Sequence, residues 1–199
     1  SNKVVRPSER PRTTGSTPAV KAGPTAFEIG EVVAGNYEVR GLLGEGGMGV
    51  VYEAHDRALN RRVAMKISRP NASSSYLHAE ARALAAIRHP CMATVYAFGQ
   101  HAGIEFMVME RVLGTSLRQM VDRRRRLDQP FTIAETLDLL IALADGLSVV
   151  HRAGVAHRDI KPSNVMVAPR NRVVLLDFGL FRAEYDQHTG EAVGSPEYI

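Results

Sequence analysis

The stretch Val155-Ala156-His157-Arg158-Asp159-Ile160-Lys161-Pro162-Ser163-Asn164-Val165-Met166-Val167 constrains this chain more than any other. It sets a carboxylate, two cations and a carboxamide between apolar runs, and a second carboxylate, Asp177, follows with Phe178-Gly179 behind it. Such runs bury strands or tight turns against a core, so the charged groups between them must be paired, hydrated or bound to a ligand. The pattern reads as a polar loop that holds one Asp and one Asn at fixed separation, with Asp177 delivered by the apolar strand 173–176. That set suits a magnesium and phosphate site with a spare carboxylate placed to receive a proton. A charged surface turn between two strands fits the local pattern equally well.

Composition narrows the classes. With 199 residues and 45% hydrophobic content, the chain can bury one sizeable core or two small lobes. A single cysteine, Cys91, permits no intrachain disulfide, which argues for a reducing, cytoplasmic setting. No apolar run approaches the length of a membrane-crossing helix, so no membrane contact is expected from this segment. The net charge of +4 is mild and tryptophan is absent, which argues against nucleic-acid binding. The one dense basic cluster, Arg123 to Arg126, reads as a solvated helix end, ahead of a docking point for an acidic partner. Residues 1–26 carry four Pro, many Ser and Thr and five basic side chains, the composition of a flexible leader.

From Tyr37 the pattern is extended. Residues 37–43, 50–54 and 63–67 read as three antiparallel strands joined by hairpins. The first turn carries Gly44-x-Gly46-x-x-Gly49, whose bare backbone lets amides approach an anion. A dinucleotide site needs such glycines to lead into a helix. Here they lead into Val50-Val51-Tyr52, so a flap over phosphates fits better, with a plain flexible hairpin as the alternative. Lys66, near the end of the third strand, is either an edge-strand guard or a phosphate ligand.

Residues 74–88 have helical periodicity, with Leu77, Ala81, Leu84 and Ile87 on one face and Pro90 beyond. Glu80 sits on the margin of that stripe, within reach of Lys66 or of solvent. Strands at 94–98 and 104–109 complete a five-stranded sheet. The boundary follows Glu110, where the free peptide groups of a linker can bind a planar ring and Met109 limits the depth of its pocket. Helices are expected near 116–125 and 133–151, the second with Leu137, Leu140, Ile141, Ala144, Leu147 and Val150 inward and with Asp145 and Gly146 as mild interruptions. Residues 182–194 read as a mobile loop containing Thr189 and Tyr185.

The ordered set Gly44-x-Gly46-x-x-Gly49-x-Val51, Ala64-Met65-Lys66, Glu80, His157-Arg158-Asp159-x-Lys161-x-x-Asn164 and Asp177-Phe178-Gly179 resembles the protein kinase family, in particular the bacterial serine/threonine kinases of eukaryotic type. The resemblance covers residues 37–199. It implies an α+β, bilobal fold: an N-lobe over 27–110 with five strands and one helix, then a linker and the first part of a mainly helical C-lobe over 111–199. It implies ATP and magnesium ions as cofactors and protein serine/threonine hydroxyls as acceptors, autophosphorylation through self-association included.

Carried across by the same resemblance, the glycine flap covers the ATP phosphates and Lys66, held by Glu80, binds the α and β phosphates. Asp159 orients the acceptor hydroxyl or takes its proton, Lys161 touches the γ phosphate, and Asn164 and Asp177 hold magnesium. Val51, Ala64 and Met166 sandwich the adenine, Met109 is the gatekeeper, and the backbones of Glu110 and Val112 contact the ring. Arg158 would pair with a phosphorylated residue, for which Thr189 ranks ahead of Tyr185 and Ser195; Ser195 also stands where such kinases usually have Thr. An apolar spine would run through Val95, Leu84, Phe178 and His157, making His157 a structural residue.

Three departures from the family pattern stand out. Thr115 replaces a glycine after the linker, and Cys91-Met92 replaces a more polar and branched pair. The sequence also stops at Tyr198-Ile199, just before the expected Ala-Pro-Glu, so the apolar faces of the 133–150 helix and of the 173–176 strand are expected to be partly exposed. This stretch alone is expected to transfer phosphate poorly. The alternative function is a pseudokinase or truncated kinase-like interaction module that responds to nucleotide.

Overall fold

A computed structural model describes residues 27–46, 49–67 and 74–177. The leader 1–26, Phe178-Gly179, Tyr185, Thr189 and Ser195 lie outside the described residues.

The larger sheet is antiparallel throughout, with order β1-β2-β3-β4-β6-β5. Its strands are β1 (Val32–Val33), β2 (Tyr37–Gly46), β3 (Gly49–Asp56), β4 (Arg61–Ile67), β5 (Val95–His101) and β6 (Ile104–Glu110). It therefore has six strands where five were expected. The added strand is two residues long, too short to leave a periodic signal, yet it pairs Val32 with Glu38 and Val33 with Tyr37. Val33 and Phe27 join Val39, Tyr52, Ala54, Val63, Met65, Phe106 and Val108 in the core of this sheet.

The hairpins have identifiable causes. Gly46 pairs with Gly49, whose φ is 145°, and so closes the glycine-rich turn. Ala102 and Gly103 both have positive φ, the geometry that matches a two-residue loop to strand twist. At the third turn Asp56 is buried and accepts from Asn36 Nδ2 (2.9 Å), the Leu59 N–H (3.2 Å) and Arg61 Nε (3.2 Å). Burial works to raise the Asp56 pKa, but these donors outweigh it and hold it below the usual aspartate value.

Helix α1 (Ser74–Ala85) buries Leu77, Ala81 and Leu84, with Ile87 just past its end. These residues form a second core with Cys91, Met92 and Met107, which precede the linker, and with Leu143, Val150, Val165, Val173 and Leu175, which follow it. A small sheet of order β7-β8-β9 carries the polar stretch: β7 (Thr115–Ser116), β8 (Val165–Ala168) and β9 (Arg172–Leu175). A bridge between Met92 and Leu175 and a 2.8 Å bond from the Leu175 N–H to the Cys91 carbonyl join it to the loop after α1.

Helices α2 (Leu117–Arg126) and α3 (Ile133–Arg152) both begin with capping boxes, Ser116 with Gln119 and Thr132 with Glu135. The inward face of α3 differs from expectation. Leu143, Gly146 and Val150 are buried, whereas Leu137, Leu140, Ile141 and Ala144 are exposed, together with Ile133. The helix is apolar on two faces, so periodicity alone does not choose between them. Gly146 chooses, because a Cβ there would lie 2.7 Å from both Cβ and Sγ of Cys91. What reads in sequence as an interruption is the point where helix and loop touch. The expected exposed patch is present on the α3 stripe formed by those five residues but not on the 173–176 strand, where Val173, Val174 and Leu175 are buried, Val173 and Leu175 in the second core.

The arginine run divides. Arg124 donates two bonds to Glu135 (2.9 and 2.6 Å) and lies over the Phe131 ring, tying α2 to the start of α3, whereas Arg123, Arg125 and Arg126 are exposed. The Arg124 bonds, then the Thr132 N–H, lower the Glu135 pKa to about 2 from an ordinary 4.5. Because the folded value is the lower one, this contribution to stability is present above pH 4.5 and is lost as pH falls toward about 2. An NMR titration should place the Glu135 carboxyl near that value, and Arg124→Ala should return it toward the ordinary one.

Candidate active site

Two charged clusters, one around Lys66 and one around Asp159, are joined through His157 and the Leu176-Asp177 segment. Lys66 sits in β4, an interior strand, so it guards no edge. Its side chain is only 2% exposed and Glu80, on α1, 1%. Lys66 Nζ bonds Glu80 Oε1 at 2.8 Å and Oε2 at 2.9 Å, and reaches Asp177 Oδ1 at 3.0 Å. Burial opposes the Lys66 charge, but the carboxylates of Glu80 and Asp177 outweigh it and raise its pKa above the usual lysine value. One ammonium therefore joins the sheet, the helix and the end of the β9 segment.

The second cluster is the polar stretch. Asp159 is buried, and its Oδ2 is shared by Asn164 Nδ2 (2.9 Å) and Lys161 Nζ (2.8 Å). Asn164 Nδ2 also donates to the Asp159 carbonyl at 2.9 Å, which fixes the carboxamide and turns its oxygen away from this contact. The Leu176 N–H bonds the Asn164 carbonyl at 2.7 Å, so the β8–β9 hairpin sets Asn164 beside Leu176-Asp177. Asp177 and Arg158 both take left-handed backbone, with φ of 49° and 62°.

His157 is buried and bridges the two parts. Its Nδ1 accepts from the Asp159 N–H (3.3 Å), which leaves Nε2–H to donate to the Leu176 carbonyl (3.0 Å). Burial lowers its pKa, consistent with this neutral tautomer. A neutral, doubly bonded ring is a structural strut and no source of protons.

Beside these clusters lies a cleft of about 610 Å³, lined on one side by Leu43, Gly44, Val51 and Ala64 and on the other by Met166, Ser163, Leu176 and Asp177. Met109 to Gly114 form its back. Of the residues singled out from sequence, Gly44, Val51, Ala64, Met109, Glu110, Val112, Met166 and Asp177 line it. Gly46 and Gly49 shape the hairpin above it. Sequence reasoning missed Leu43, Arg111, Ser116, Gln119 and Ser163, of which Leu43 and Ser163 sit next to motif residues. The Glu110 N–H is taken by the Thr94 carbonyl (2.8 Å), so it is not available to a ring. That leaves its carbonyl for the ring contact expected at the Glu110 backbone.

Residues 37–199 match the family described as the protein kinase domain. The chain belongs to that family. Among curated members, this kinase-family chain is 35% identical over 181 residues to a probable serine/threonine-protein kinase of Streptomyces coelicolor, covering 84% of this chain and 26% of that protein. It is 34% identical to the serine/threonine-protein kinase PknA of Mycobacterium tuberculosis, covering 86% and 42%. Among solved structures it superposes on the apo form of PpkA-294 with a TM-score of 0.72 and 27% identity, covering 81% of this chain and 64% of that one. The Mycobacterium tuberculosis PknI kinase domain gives 0.67 and 28%, covering 78% and 62%. The chain thus spans less than half the length of these curated relatives. The two-lobed α+β fold is that of a protein kinase, with a small lobe and part of the large one among the described residues. No helix among the described residues is long and apolar enough to cross a membrane.

Proposed function

We propose that this chain carries the nucleotide site and phosphoryl-transfer residues of a protein serine/threonine kinase, using ATP and magnesium. The observation that carries the reading is the Lys66 ammonium held between Glu80 and Asp177, of which Asp177 also lines the cleft beside the linker. Val51, Ala64 and Met166 give the cleft two apolar faces for a planar base, and the linker backbone at Glu110 and Val112 gives it a polar edge.

Magnesium takes one or two protein ligands and completes its shell with phosphates and water. Asn164, through its carboxamide oxygen, and Asp177 are the residues that would hold it. When bound, the ion neutralises charge on the transferring phosphoryl group.

Lys66 is the cation for the α and β phosphates, its position fixed by Glu80. Asp159 receives the acceptor hydroxyl and orients it for in-line attack. Lys161, 2.8 Å from the same carboxylate, brings positive charge to the side where the phosphoryl group arrives. Arg158, exposed beside Asp159, is the docking point for a phosphorylated residue, Thr189 ahead of Tyr185 and Ser195, which a second copy of the chain would modify in autophosphorylation.

Thermal unfolding tests the nucleotide site. With MgATP at a hundredfold excess over its Kd, stability should rise by about 2.7 kcal/mol, a Tm increase of roughly 5–10 °C. The increase should shrink when magnesium is chelated, and an unchanged Tm with MgATP would contradict the reading.

A further inference from the structure

The linker behind the cleft is gripped by a residue that belongs to neither charged cluster. Glu110 closes β6 and lines the cleft, and its carboxylate points to the large-lobe hairpin, where it accepts two bonds from Arg172, at 2.5 Å from Nη1 and 2.9 Å from Nη2. Arg172 opens β9 and also donates from Nε to the Pro90 carbonyl at 2.9 Å. Glu110 meets Thr94 twice, through its own N–H (2.8 Å) and through the Thr94 N–H on its Oε2 (3.4 Å). One guanidinium thus ties together the loop after α1, the end of β6 and the strand that leads to Asp177. These pieces are 82 and 62 residues from it in sequence.

The next linker residue is held from the other lobe, Arg111 Nη2 meeting Glu53 Oε2 of β3 at 3.0 Å. Successive linker residues are therefore fixed to opposite sides of the cleft. An isolated surface pair would matter little, and here the side chains are 35% and 20% exposed. The fork geometry and the third bond to Pro90 make the difference, because a planar guanidinium with three occupied donors has one orientation.

We propose that Arg172 is a positioning residue for nucleotide binding, holding linker residues 110–112 at a fixed distance from the strand that carries Asp177, so that the cleft is shaped before its ligand arrives. The inference rests on the nucleotide reading of the cleft and adds to it a residue that touches no ligand. A linker already fixed loses less freedom on binding, and the benefit appears in affinity for the base.

The test uses the full-length protein, with MgATP titrated by calorimetry and amide hydrogen exchange followed in the linker without nucleotide. Arg172→Ala should weaken MgATP binding about tenfold and speed exchange of amides 111–114 by a similar factor, with Arg172→Lys between it and wild type. In a double-mutant cycle, Arg172→Ala should cost less binding in a Glu110→Ala background than in wild type, because the two residues share the forked contact. Should Arg172→Ala fail to fold, Arg172→Lys carries the same test, since a lysine cannot make the fork. Wild-type affinity and wild-type linker exchange in a folded Arg172 variant would overturn the inference. Wild-type protein that binds no MgATP would instead overturn the nucleotide reading, and this inference with it.

Discussion

Asp159→Ala in the full-length protein should lower phosphoryl transfer to a serine- or threonine-containing peptide by about a thousandfold, while MgATP still raises Tm by nearly the wild-type amount. The separation follows from how Asn164 is held. Its Nδ2 has two acceptors in residue 159, the side-chain Oδ2 and the main-chain carbonyl, and alanine removes only the first. The backbone bond keeps the carboxamide oriented, and the bond from the Leu176 N–H to the Asn164 carbonyl is untouched. The proposed nucleotide and metal sites are therefore expected to survive a change that removes the carboxylate proposed for the acceptor hydroxyl. Asp159→Asn is the control of equal size, expected to lose transfer to a comparable degree. Transfer at the wild-type rate in either variant would remove Asp159 from the mechanism. Loss of the MgATP-dependent Tm increase would show that Asp159 supports the nucleotide site as well.

What could be read from sequence follows the range of the interaction. Short-range patterns were legible: the glycine hairpin, the periodic face of Leu77, Ala81 and Leu84, and the polar stretch itself, because spacing there fixes which side chains share a face. The Lys66–Glu80 pair was legible as a possibility, since each residue lies at the edge of its own apolar pattern. Two classes of feature were not. Helix α3 is apolar on both sides, and only the approach of Cys91 to Gly146 selects which is buried. Contacts such as Arg172 with Glu110 join residues far apart in sequence, and an arginine at the start of a strand carries no local mark of its partner. Short strand β1 belongs with the second class: its two residues give no period, and only its pairing with β2 reveals it.

Lys66→Met should destabilise the fold by about 3 kcal/mol, a fall in Tm of roughly 6–12 °C, beyond any effect on catalysis. The Lys66 and Glu80 side chains are almost wholly buried, so the substitution leaves the Glu80 carboxylate in the core without the ammonium that meets both of its oxygens. The third partner, Asp177, is 38% exposed, and water compensates its loss, so most of the cost lies at Glu80. In the wild type the raised Lys66 pKa means that the pair contributes fully below the ordinary lysine value of 10.5 and is lost only as pH rises through the higher folded value. Stability should therefore differ between wild type and Lys66→Met across the whole neutral range. The double variant Lys66→Met, Glu80→Met separates folding from binding, because a buried ion pair replaced by apolar side chains of similar volume is close to neutral. It should recover most of the lost Tm and none of the MgATP-dependent increase, since restored packing supplies no cation for the phosphates. Recovery of both would mean that Lys66 serves only as the counterion of Glu80.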